Sequence, residues 1–140
     1  MRTYYLFKIN ESFYNLYYNK SFYLYKIFEE ISKSSENDFK ISYRLFNQIT
    51  LPYNKSYING ILYKKYMYNE NYLKTLNKHV LNDEIEKTKL TIYNTYIKIK
   101  SNQNIPVFLK DFKDEINIFV CDFNNKDYFF LNKVISKSLV

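Results

Sequence analysis

One glycine, Gly60, stands in a chain of 140 residues, and no other feature limits the backbone as much. Glycine enters left-handed turns freely and lets a backbone approach a ligand with no Cβ in the way. Glycine-rich phosphate loops need several such residues together, so they are excluded. Tight turns fall instead to asparagine, which tolerates positive φ and occurs 18 times. The core must be built largely from rings, because the chain has 17 Tyr and 12 Phe but no Ala and no Trp.

Other scarcities close further routes. A lone cysteine, Cys121, excludes an internal disulfide framework and a multi-cysteine zinc site, and a lone histidine, His79, excludes an HExxH centre. No apolar run reaches the roughly 18 residues that suggest a membrane span. In the opening Met1-Arg2-Thr3-Tyr4-Tyr5-Leu6-Phe7-Lys8 the charges lie too close together for the apolar centre of a signal peptide. A cytoplasmic, aromatic-rich single domain over residues 1–140 is expected, with no cofactor, metal or membrane. Lys, Asn, Ile, Tyr and Phe have A/T-rich codons, so a low-GC genome accounts for much of the bias. The formal charge of +7 is discounted accordingly.

Patterning predicts an α+β fold, a mostly antiparallel or mixed sheet of about five strands with helices packed against it. Thr3–Asn10 reads as a strand. A short helix follows, capped near Asn10 or Ser12, with Phe13, Leu16 and Tyr17 on one face. A second helix carries Leu24, Ile27, Phe28 and Ile31 and ends near Lys33, before a polar stretch at 34–37. Helices are expected over 41–50, before Pro52, and over 57–67. Residues 70–80 have little pattern. A hairpin lies between Lys87 and Lys100 around Asn94-Thr95. Pro106 opens a helix running to about Glu115, and Asn117–Phe123 is a central buried strand with a return strand at Tyr128–Leu131.

Reacting groups are hard to find. His79 has no marked nucleophile beside it and reads as an isolated surface histidine, and Cys121 reads as a buried, unreactive thiol. Glu29/Glu30 and Asp114/Glu115 are adjacent on helices, so each pair diverges and reads as solvated surface. No enzyme is expected. Direct nucleic-acid binding is the weaker expectation for this basic, aromatic chain, because its longest basic cluster is Lys64-Lys65. A protein-binding surface fits better. Phe13, Tyr14, Leu16, Tyr17 and Tyr18 give the first helix more apolar surface than one buried face uses. Spacing alone favours placing Phe13 and Tyr17 in a core stripe over leaving them for a partner.

The two ends carry a resemblance. Arg2-Thr3-Tyr4-Tyr5-Leu6-Phe7-Lys8-Ile9, then Phe13 and Tyr17, resembles the start of the SirA family, sporulation inhibitors of replication in endospore-forming, low-GC Gram-positive bacteria. Asp122-Phe123-Asn124, Tyr128, Leu131-Asn132 and Val140 resemble its closing pattern, with Ile49-Thr50 and Pro52 as a middle anchor. Phe129, Phe130 and Lys133 depart from it, standing where the family favours glycine, tryptophan and proline.

The resemblance implies a protein that binds the N-terminal domain of the replication initiator DnaA and so blocks new rounds of replication as sporulation begins. It implies partner contacts at Phe13 and Tyr17, flanked by Tyr14 and Tyr18, which shifts the reading of that helix from core to docking. A glutamine contact of the family falls on Leu45 when counted back from Ile49, whereas Gln48 lies three residues on. Either the register has slipped to Gln48 or the contact is replaced. A small basic nucleic-acid-binding protein or a phage- or virus-type host-interaction protein is the alternative.

Overall fold

A computed structural model describes residues 1–34 and 39–133, with the backbone alone for 39–42. Val140 lies outside these residues, as does most of the polar stretch at 34–37.

The first strand, β1 (Arg2–Ile9), occupies the middle of the sheet. Its alternation drives the architecture: Tyr4 and Leu6 enter one core, while Phe7 and Ile9 enter a second on the opposite face. One neighbour of β1 is β6 (Ile97–Ser101), with Tyr5 opposite Lys98, and the other is β7 (Ile118–Asp122), with Tyr5 opposite Cys121. Every residue of β7 is buried, as its near-continuous apolar run predicts for a central strand covered on both sides.

Outward from β6 come β5 (Lys87–Ile92), β4 (Lys78–Asn82) and β3 (Tyr72–Thr75). Outward from β7 comes β8 (Asp127–Phe130), and the two-residue β2 (Thr50–Leu51) pairs with Lys8 and Ile9 of β1. All these pairings are antiparallel.

The α+β class stands, but among the described residues the sheet has eight strands rather than about five. The additional strands are β2, β3 and β4. The weakly patterned stretch at 70–80 contributes to the β3–β4 hairpin, which hides because only His79 and Leu81 of its nine strand residues are buried. Its turn also lacks a glycine, and Leu76 takes φ 53° there.

Helices cover both faces. Over the second core lie α1 (Glu11–Tyr17), α2 (Ser21–Ser32) and α3 (Phe39–Ile49). Phe28 of α2 stacks on Phe7 at 4.3 Å between ring centroids, anchoring that helix to the sheet. Over the first core lie α4 (Lys55–Tyr66), through Leu62 and Tyr66, and α5 (Val107–Lys110), through Phe108 and Leu109.

The helix expected from Pro106 to Glu115 stops at Lys110, and Pro106 is its cap. Beyond it the chain makes tight i→i+3 bonds, among them Phe112 N–H to the Leu109 carbonyl at 3.2 Å and Glu115 N–H to the Phe112 carbonyl at 3.0 Å. This tighter winding accompanies the burial of Phe108, Leu109 and Phe112 against the first core.

Candidate functional site

The site begins with the residue that starts α1. Asn10 Oδ1 accepts the Phe13 N–H at 3.0 Å, which satisfies a free donor of the first turn. The Asn10 backbone N–H donates to the Ile49 carbonyl at 2.8 Å, and its side-chain Nδ2 donates to the Gln48 carbonyl. One residue thus both caps α1 and ties it to the end of α3. Gln48, exposed, is brought beside the helix that carries Phe13, while Leu45 packs half-buried on the second core.

No residue of α1 is fully buried, although the helix is rich in rings. Tyr14 meets Phe130 edge-on at 5.2 Å, and Tyr18 lies 5.9 Å from the same ring. Lys133 sits over Tyr18 with Nζ 3.7 Å from the ring centroid, and donates to the Tyr18 carbonyl at 2.9 Å. Tyr14 and Tyr18 therefore seat the helix on the end of the sheet.

Phe13 and Tyr17 form a second pair along the helix. Their rings are 6.3 Å apart and within 8° of parallel, and both are half-buried at the rim of the second core. Leu16 does not join them, being 56% exposed, so the anticipated stripe of Phe13, Leu16 and Tyr17 is split. Two further rings were not anticipated: Phe22 and Tyr23, at the start of α2, are both exposed, with Phe22 6.3 Å from Tyr128. The run Phe22-Tyr23-Leu24-Tyr25 was their signal, since one buried stripe cannot take four consecutive apolar residues.

His79 is not at the surface. It is fully buried, with Nδ1 2.6 Å from the Tyr72 hydroxyl and Nε2 2.7 Å from Asn59 Oδ1. The hydroxyl donates to Nδ1 and Nε2–H donates to the amide oxygen, a neutral ring satisfied on both sides. Burial, with Lys74 adding to it, lowers the His79 pKa to about 4. Asn59 Nδ2 continues the chain to Asn77 Oδ1 at 2.9 Å, joining α4 to the β3–β4 hairpin. The surface reading fails because Tyr72 reaches His79 only through the β3–β4 pairing, which the weak pattern at 70–80 hides, and Asn59 comes from α4.

Glu29 also departs from expectation, being 7% exposed rather than solvated. It accepts from Lys26 Nζ and from the Tyr25 hydroxyl, each at 2.9 Å, and these bonds hold its carboxyl below the usual range. Its neighbour Glu30 is exposed, as are Asp114 and Glu115. Cys121 is buried as expected, and burial pushes its thiol well up. Among the described residues no group of three or more His, Cys, Asp or Glu side chains could hold a metal. No helix among them is long and apolar enough to cross a membrane.

The residues that carried the resemblance at the chain's ends meet in space. Arg2 pairs with Asp122, and Asp122 in turn accepts from Asn125 Nδ2 at 2.7 Å. The model of the family described as sporulation inhibitor of replication protein SirA matches residues 2–135. The chain belongs to the SirA family. This membership makes it a sporulation inhibitor of replication, a regulatory protein whose family implies a protein partner in replication control. No curated protein matches the chain. The SirA match also spans the middle third, where the sequence alone offered one short anchor.

Proposed function

We propose that this SirA-family chain acts in the cytoplasm by binding the N-terminal domain of the replication initiator DnaA, with neither catalysis nor a cofactor. The docking surface is the outer side of α1, centred on Phe13 and Tyr17. Gln48 supplies a polar contact, and Tyr14 and Tyr18 form the inner edge. The observation that carries this reading is the parallel Phe13–Tyr17 pair, half-buried on a helix that buries no residue completely.

Rings already held by their neighbours lose little freedom when a partner covers them, which favours affinity. Tyr14 and Tyr18 hold the helix down on Phe130, and Asn10 fixes its start. The same tether brings the exposed Gln48 to the edge of the patch. Isothermal titration of the full chain against the DnaA N-terminal domain of the same host tests the reading. Saturable binding supports it, and absence of heat at high concentrations of both proteins overturns it.

A further inference from the structure

The side of the sheet that carries α1 to α3 is covered over β1, β7 and β8, but over β4 to β6 it bears lysines. Lys78 lies opposite Thr91, Thr91 opposite Lys98, and Lys89 opposite Lys100. Side chains alternate between faces along a strand, so these four lysines share the face of Tyr5, while Leu90, Ile92, Ile97 and Ile99 fill the core behind them. Like charges directly opposite in an antiparallel pair repel each other, as Lys89 and Lys100 do here. Among the described residues none of the four lysines makes an ion pair. This arrangement is complementary to a polyanion.

Aromatic rings adjoin the charge. Tyr93 lies with the lysines around one shallow depression and stacks on Tyr96 at 4.6 Å. Lys98 Nζ lies 5.7 Å from the Tyr5 ring centroid. Tyr5 and Tyr96, with Phe7 and Phe123, open into an apolar groove of about 440 Å³. Phosphate-binding cations beside open ring faces and a groove are what a single strand with unstacked bases requires. A duplex or an acidic peptide would use the lysines and leave the rings idle. Four lysines and no arginine also favour sequence-tolerant backbone contacts over bidentate reading of base edges.

We propose that this lysine face binds single-stranded DNA, with Lys78, Lys89, Lys98 and Lys100 on the phosphates and the Tyr93–Tyr96 stack against the bases. The choice of DNA rests on the family's role in replication. The surface lies on β4 to β6, whereas the proposed initiator patch lies on α1, so this activity is separate from recognition of an initiator protein.

Fluorescence anisotropy of a labelled oligothymidylate with the full chain tests the proposal. Each neutralised phosphate on a single strand contributes about −0.7 to the salt slope, so four contacts predict about 50-fold weaker binding between about 50 and about 200 mM salt. The exposed double variant K89Q/K100Q should bind more weakly, with a slope shallower by about 1.4. Tyr93→Ala should weaken binding about tenfold. Circular dichroism of each variant confirms that it is folded, and retained binding of K89Q/K100Q to the initiator domain separates this activity from the first. No binding at low salt, or an unchanged slope in K89Q/K100Q, overturns the proposal. Tighter binding of oligouridylate overturns it in favour of RNA. Equal binding of duplex DNA or polyglutamate with no effect of Tyr93→Ala overturns it in favour of a general polyanion surface.

Discussion

Arg2 and Asp122, separated by 120 residues in sequence, meet with the guanidinium Nε 3.0 Å from a carboxylate oxygen. Asp122 is almost wholly buried on β7, and Arg2 extends further to Asp127 at 2.9 Å and to Asn104 at 3.2 Å. One side chain on the central strand therefore binds both strands of the last hairpin. Both ends of the family pattern thus serve folding here, whatever they serve in recognition.

Arg2→Met should destabilise the protein by about 2 kcal/mol, because a buried carboxylate loses its cation while the partly exposed arginine limits the loss. Asp127→Asn, at the half-exposed end of the same arginine, should cost below about 1 kcal/mol. Urea denaturation followed by circular dichroism measures both. Equal effects would show that Asp122 does not depend on Arg2.

His79 sets a pH dependence. Its folded pKa is lowered to about 4 from 6.5, so the unfolded chain takes up a proton first as the pH falls. Stability is complete above the unfolded value, declines as the pH drops through the interval from 6.5 to about 4, and changes no further through this group below it. The loss amounts to about 3 kcal/mol, since each pKa unit between the folded and unfolded values is worth about 1.4 kcal/mol. Denaturation midpoints at several pH values measure it, and His79→Gln should flatten this part of the profile.

The legible parts of the fold are those whose signal lies within one segment. β1 and the β5–β6 hairpin show alternation, β7 a solid apolar run, and α2 a clean stripe. The β3–β4 hairpin was not legible, since its strands are mostly exposed and its turn is made by Leu76 at positive φ. His79 misleads because its satisfaction comes from partners on other elements. The lysine face is hidden in the sequence for a related reason: Lys89 and Lys100 become neighbours only through strand register, and they form no run along the chain. Phe13 and Tyr17 were visible as a helical pair, but the separate seating of Tyr14 and Tyr18 on Phe130 depends on a distant strand.

The scarcity of glycine leaves correctable strain. Leu76 and Lys126 both adopt φ 53°, the left-handed region that costs a residue with a Cβ about 1–2 kcal/mol. Gly60 instead sits inside α4 with ordinary backbone geometry, and an added Cβ would meet nothing within 4 Å. Gly60→Ala should therefore stabilise the protein by about 1 kcal/mol. Leu76→Gly should do the same, because Leu76 is 81% exposed and loses little contact. Thermal melts of the two single variants check this.

The α1 patch makes its own distinction between anchors and supports. Phe13→Ala and Tyr17→Ala should each weaken binding to the DnaA N-terminal domain by about 2 kcal/mol, close to 30-fold, with only the modest loss of stability that half-buried rings at the core rim carry. Tyr14→Ala should behave differently. It removes an edge-on contact with buried Phe130, so stability should fall by at least 1 kcal/mol, to order of magnitude, and affinity should fall through loosening of the helix. Gln48→Ala should cost about 1 kcal/mol of binding, the value of one neutral hydrogen bond. Titration calorimetry paired with thermal melts separates the classes. If Phe13→Ala and Tyr17→Ala bind like the unaltered protein, the partner docks elsewhere, and the exposed rings of Phe22 and Tyr23 become the surface to vary next.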